Sequence, residues 1–220
     1  HINDAIHLFG PDTDVVFSSH HWPTWGNAEA IRFLKGQRDL YRYIHDETLR
    51  LANHGYGPAE IAEMLELPAG IAGSFANRGY YGSVIHNVRA VYTYYLGFFD
   101  GNPATLHELP PVEGARKAVE YMGGADAVLA RARADFEKGE YRWVAQAVNY
   151  VVFADPDNQE ARTLQADTLE QLGYQAENGT WRNFYLSAAR ELRDGVVVMP
   201  TPSSASPDLA TAMSVEMFLQ

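Results

Sequence analysis

The sequence predicts a mainly α-helical fold of helical hairpins, preceded by a short mixed α/β stretch, and three observations carry that prediction. Apolar residues recur at three- and four-residue spacing from Asn27 to about Asn53 and in five further stretches after Pro110. Short loops bearing glycine or proline separate those stretches. Before the last twenty residues, only the run Asp14-Val-Val-Phe17 has the look of a buried strand.

In order along the chain, HINDAIHLFG reads as the tail of an amphipathic helix, with Ile2, Ile6 and Phe9 on one face, and is expected to continue a longer upstream segment. Pro11 and Asp12 break it, and the Asp14–Phe17 strand comes next, ending at Ser18-Ser19 and two histidines. Asn27 is a candidate N-cap for a helix that places Leu40, Ile44 and Leu51 on one face. The segment from Gly57 to Pro68 is a compact helix, with Pro58 pre-set for its first turn and a second proline closing it. The glycine-punctuated turn from Arg78 to Ser83 feeds a helix from Val84 to about Phe99, stopped by Asp100-Gly101-Asn102-Pro103.

From Pro110 the pattern becomes hairpins, with helices expected near 112–121, 125–138, 141–154, 159–172 and 178–193. Gly139 and Gly173 stand 34 positions apart, each after an alanine-bearing amphipathic stretch, which is the tetratricopeptide period. Beyond them TPSSASPDLA is a linker by composition, and the alternation Met213, Val215, Met217, Leu219 resembles a first strand whose partners would lie beyond Gln220.

Composition bounds the function. With 46% apolar residues, 220 residues can bury a core for one large or two small domains. The net charge of −11 opposes binding to a polyanion, so no nucleic acid partner is expected. GPAEIAEMLELP is similar to the first helix of a helix-turn-helix, but the next segment, AGIAGSFANRGYYG, carries a single arginine among several glycines, where a DNA reader needs a basic helix. There are no cysteines, which excludes disulfides, thiolate nucleophiles and cysteine-bound zinc, and leaves His, Asp and Glu to hold any metal. No apolar run approaches the roughly 20 residues that cross a bilayer, so no membrane span is expected. The residues assign no compartment: secreted, periplasmic and cytoplasmic locations all stay open.

Two segments could carry chemistry. In Ser19-His20-His21-Trp22-Pro23-Thr24-Trp25, two imidazoles sit at a strand end beside residues that stiffen a loop and exclude water. Imidazole there suits a metal or a plain surface hydrogen bond, and two histidines alone close no zinc site. In the second segment, Arg78, Tyr81, Ser83, His86, Asn87 and Arg89 gather around a helix start, where unpaired N–H groups favour an anion such as phosphate, sulfate or carboxylate. A helix cap with Tyr80 and Tyr92 in the core is the other reading. The run Tyr92-Thr-Tyr-Tyr-Leu-Gly-Phe-Phe99 is aromatic all round and is expected to be buried on several faces, as core, as a tunnel for an apolar tail or as a self-complementary subunit interface. No Ser-His-Asp arrangement, phosphate loop or dinucleotide fingerprint is present.

Long blocks of the chain resemble the C-terminal part of the alkyl sulfatases, zinc enzymes of the metallo-β-lactamase superfamily. They are SSHHWPTWGN, QRDLYRYIHDETLRLAN, RGYYGSVIHNVRAVYTYYLGFFDGNPATL, EYMGGADAVLARARADFEKGEYRWVAQ, FADPDNQEAR and EQLGYQAENGTWRNFYLSAARELRDG. Together they span about residues 10 to 195. The resemblance implies a remnant of a metallo-β-lactamase-like catalytic domain over residues 1–35 and a helical dimerisation domain over 36–195. Residues 196–220 would be a linker and the start of a sterol-carrier-protein-like domain.

The resemblance further implies hydrolysis of alkyl sulfate esters such as dodecyl sulfate, two zinc ions in the parent enzyme, and a homodimer. It maps one zinc ligand onto His20, with His21 as the fallback, and a sulfate site onto Tyr81, with His86, Asn87 and Arg89 beside it. The family's His-x-His-x-Asp-His run and two metal-binding glutamates have no counterpart in these residues, so this chain alone is expected to be inactive. The alternative reading is a tetratricopeptide-like adaptor that binds a partner protein without catalysis.

Overall fold

The structure, a computed structural model, describes residues 1–196 together with Val198 and Ser214. The linker and first-strand reading of residues 201–220 therefore lies, save for Ser214, outside the described residues.

Helix α1 (Ile2–Phe9) is followed by a single 3-10 turn, Gly10–Asp12, and by a β-hairpin of β1 (Val15–Ser18) and β2 (His21–Trp25). The strands pair antiparallel, with Val15 opposite Trp25, Val16 opposite Thr24 and Ser18 opposite His21. That register leaves Ser19-His20 as a two-residue turn. Two expectations are corrected here. The strand is not buried, since Phe17 is 76% exposed and its neighbours only half-buried. The Trp-Pro segment is a strand and not a loop: a two-stranded sheet has only edges, and an edge strand tolerates the N–H that Pro23 lacks.

Helix α2 (Asn27–Asn53) runs unbroken through residues 35 and 36. Asn27 is its first residue, with Gly26 as the cap, and the Asn27 amide instead donates to the Gly10 and Thr13 carbonyls, tying α2 back to the first turn. Helix α3 (Pro58–Met64) has Pro58 at its first position, where the missing N–H costs nothing. A one-turn helix α4 (Ala69–Ala72) and a 3-10 turn at Phe75–Asn77 then lead into α5 (Val84–Leu96). Ile44 and Leu51 of α2, Ile61 and Ala62 of α3, and Val88 and Tyr92 of α5 form one buried cluster. Each fully buried branched aliphatic side chain contributes about 1.5–3 kcal/mol.

Helix α5 ends at Leu96, not near Phe99, because Gly97 takes a left-handed turn (φ +82°) that a residue with a Cβ adopts only at a cost. The aromatic run is not enclosed on several faces either. Tyr92 is core, whereas Tyr94 is 81% and Phe98 86% exposed. The helix buries one stripe and leaves the other uncovered in this chain.

The remaining helices form the hairpins: α6 (Pro111–Tyr121), α7 (Ala125–Glu137), α8 (Tyr141–Ala154), α9 (Gln159–Gln175) and α10 (Gly179–Asp194). A second core joins Val128, Leu129 and Ala132 of α7 to Val144, Val148 and Val151 of α8 and Ala161 and Leu164 of α9. Helix α10 packs along α9, and Arg162 reaches from α9 to cap it, donating to the Leu192 carbonyl at 2.6 Å. Gly139 and Gly173 occupy unlike places: Gly139 is a left-handed turn (φ +81°) between α7 and α8, and Gly173 lies inside α9 against Leu186 of α10. The two glycines are therefore not equivalent positions, although α7 and α9 themselves begin at residues 125 and 159.

Candidate functional site

A cleft of about 300 Å³ opens where the β-hairpin, α2 and the Arg78–Ser83 turn meet. It brings the two segments singled out by sequence into contact. The His20 ring, exposed on the hairpin turn, stacks on Tyr81 with ring centroids 3.6 Å apart and planes 12° from parallel. His21, one residue on, points inward: its Nδ1 lies 2.5 Å from the Tyr80 hydroxyl, and its ring stacks on Phe33 of α2. Phe75 stacks on Tyr80 with centroids 5.5 Å apart and lies 6.5 Å from the His21 ring. Burial pushes the Tyr80 phenol above the ordinary tyrosine range, so it keeps its proton.

The floor is set by Gln37 of α2 and the buried Asn77. Gln37 donates to the Asn77 carbonyl oxygen Oδ1 at 2.8 Å and to the Ala76 carbonyl at 3.1 Å, while Asn77 donates to the Ile71 carbonyl at 2.8 Å. These bonds satisfy the polar groups of an irregular stretch that has no regular ladder of its own. At the start of α5, Ser83 caps the helix, its Oγ accepting from the His86 N–H at 3.4 Å. Asn87, one turn in, lines the cleft, and among the described residues its side-chain amide has no hydrogen-bond partner. Arg78 also lines the cleft, but its guanidinium is paired with Glu177 at 2.8 Å.

The four residues mapped to a sulfate site thus separate. Tyr81 and Asn87 face the cleft with His20 and His21. His86 turns toward α10, where its Nδ1 accepts from the Trp181 indole N–H at 3.2 Å. Arg89 lines a second cleft, with Arg142, Trp181 and Tyr185, beside the Glu63–Arg142 ion pair. Helical periodicity explains the split: residues 86 and 87 differ by about 100° around α5. Sequence reasoning missed Gln37, Asn77 and Phe33, which carry no motif: Phe33 and Gln37 reach the cleft because α2 passes beneath it, and Asn77 because its 3-10 turn leads into the tyrosine turn.

Among the described residues no three or more His, Asp or Glu side chains gather as a metal site. Zinc takes three or four protein ligands, so the donor set around His20 and His21 does not hold one by itself. Among the described residues, too, no helix is long and apolar enough to cross a membrane.

Fold and cleft together define a helical-hairpin domain with an aromatic, histidine-bearing cleft. The chain belongs to the alkyl sulfatase dimerisation family, whose model matches residues 57–195. It is 60% identical over 218 residues to a linear primary-alkylsulfatase of Pseudomonas sp., covering 99% of this chain and 32% of that protein. It is also 60% identical over 196 residues to the alkyl/aryl-sulfatase BDS1 of Saccharomyces cerevisiae, covering 89% and 30%. The solved structure of a stereoselective inverting sec-alkylsulfatase, Pisa1 from Pseudomonas sp., superposes with a TM-score of 0.90 at 45% identity, over 99% of this chain and 34% of that one. The chain therefore spans about a third of the length of these relatives, and they do not favour the adaptor reading.

Proposed function

We propose that this chain is the dimerisation and site-completing part of a zinc-dependent alkyl sulfatase, which hydrolyses an alkyl sulfate such as dodecyl sulfate to the alcohol and sulfate. The observation that carries the reading is the His20–Tyr81 stack, which joins the hairpin turn to the tyrosine turn at one cleft. An alkyl sulfate is an anion with an apolar tail, and the cleft matches both ends. The Tyr81 hydroxyl and the unpartnered Asn87 amide can donate to sulfate oxygens, while Phe33, Leu40 and Tyr80 give the tail an apolar wall.

Both zinc ions of the parent would be held chiefly by residues outside this chain, with His20 supplying one ligand. The uncovered aromatic end of α5, Tyr94 to Phe98, is the face through which two copies would meet. The test is zinc content and dodecyl sulfate hydrolysis of the longer protein, of this chain alone, and of the longer protein with His20→Ala. The expected result is zinc and turnover in the longer protein only, with metal lost from one site in the His20→Ala variant. Turnover by this chain alone, or a longer protein that neither binds zinc nor hydrolyses the ester, would overturn the proposal.

A further inference from the structure

The turn that carries Tyr81 has little structure of its own. Between Arg78 and Ser83 there is neither helix nor strand, and Gly79 and Gly82 flank the two tyrosines. Fixing such a segment costs about 1–2 kcal/mol per residue in backbone entropy, so something outside it must hold it.

That support comes from about a hundred residues later, at the start of α10. The Gly179 N–H donates to the Tyr80 carbonyl at 2.9 Å. Glu177 accepts from Arg78 Nε at 2.8 Å. Trp181 donates to His86 just beyond the turn. Thr180 has one hydroxyl proton and two acceptors near it, Asn178 Oδ1 at 2.5 Å and the Tyr81 carbonyl at 3.4 Å, and the shorter contact takes it. Asn178, only 4% exposed, locks this end in place, its Oδ1 also accepting from the Thr180 and Trp181 N–H groups at 2.9 and 3.2 Å.

We infer that the first turn of α10 is a positioning element for the cleft: through Gly179 and Glu177 it holds the Tyr80-Tyr81 backbone so that Tyr81 lies against His20. The hairpin region then does more than bring two subunits together. It sets where the anionic head of a substrate is received. The substrate class rests on the sulfatase reading above, but the clamp itself does not.

Two substitutions at one position separate the clamp from general stability. Gly179 is the first residue of α10, where proline is well tolerated, and Asn178 before it is already extended (φ −66°, ψ 115°). Gly179→Pro thus replaces the N–H that holds Tyr80 with a Cδ that turns the Tyr80 carbonyl away, and it leaves the hydrogen bonds within α10 intact. Gly179→Ala keeps that N–H, and its Cβ would meet the Tyr80 oxygen at an ordinary 3.5 Å. In the longer protein, Gly179→Pro is expected to speed amide exchange over residues 78–83 and to raise KM for dodecyl sulfate roughly tenfold with kcat within about twofold, as for lost uniform binding. Gly179→Ala should match the unsubstituted protein.

Unchanged exchange in Gly179→Pro overturns the clamp, and faster exchange with unchanged KM overturns its role in positioning. If Gly179→Pro does not fold, Glu177→Ala carries the same two readouts. An unsubstituted protein without turnover defeats the sulfatase reading alone, and the exchange difference between the proline and alanine variants still decides the clamp.

Discussion

The Tyr80 hydroxyl lies 2.5 Å from Nδ1 of His21, a bond between residues 59 positions apart that ties the β-hairpin to the tyrosine turn. A two-stranded hairpin is marginal in water without a surface to pack on, and this bond with the Phe33 stack supplies one in the described structure.

Tyr80→Phe removes the hydroxyl and leaves the ring stack. The expected cost is about 1 kcal/mol, in the range of a single part-buried hydrogen bond. Thermal or denaturant unfolding measures it, and indole fluorescence from Trp22 and Trp25 should report the hairpin loosening before the helices melt.

Gly173 is where α9 and α10 approach most closely at a glycine. A Cβ there would stand 2.8 Å from Leu186 Cδ2 and 2.9 Å from its Cγ, too close for either atom. Gly173→Ala should therefore cost about 1–3 kcal/mol despite alanine's better helix propensity. A variant that unfolds no earlier than the parent would show that Leu186 yields freely.

The uncovered aromatic side chains at the end of α5 yield a test of assembly. Phe98→Glu places a charge on a side chain 86% exposed in one copy, so a monomer loses little. A dimer burying that face would be weakened by at least tenfold in dissociation constant. Analytical ultracentrifugation over a concentration series reads the difference.

Acid sensitivity should come partly from the link between the two cores. The Arg142 guanidinium holds the Glu63 carboxyl below the usual carboxylate range, chiefly through their hydrogen bond. A lowered native pKa stabilises above the unfolded value of about 4.3, and that contribution disappears as pH falls through the native pKa. Both side chains are largely exposed, so the pair is worth no more than about 1 kcal/mol near neutrality. Glu63→Gln should flatten the stability profile below the unfolded value, and the two proteins should converge once the pH lies below the native pKa, where the carboxyl is itself protonated.

The helices were legible because each is written locally. Apolar spacing and Pro58 at a first turn specify α2, α3 and α10 within a few residues of one another in sequence, whereas the stop at Gly97 was missed and α5 was expected to reach about Phe99. The hairpin was half legible: the two histidines stood out, but Pro23 disguised β2, because pairing depends on a partner strand rather than on the segment itself.

The site divides in the same way. Side-chain chemistry alone marked His20, His21, Tyr81 and Asn87 as groups able to meet an anion or a metal. That Tyr81 and Asn87 share a cleft with the histidines while His86 and Arg89 face elsewhere comes from packing, because a helix turns about 100° per residue and its neighbours select the face. Packing alone, too, brought Gly179 to the Tyr80 carbonyl. Contacts between residues a hundred positions apart are set by how two cores pack against each other, and no local spacing encodes them.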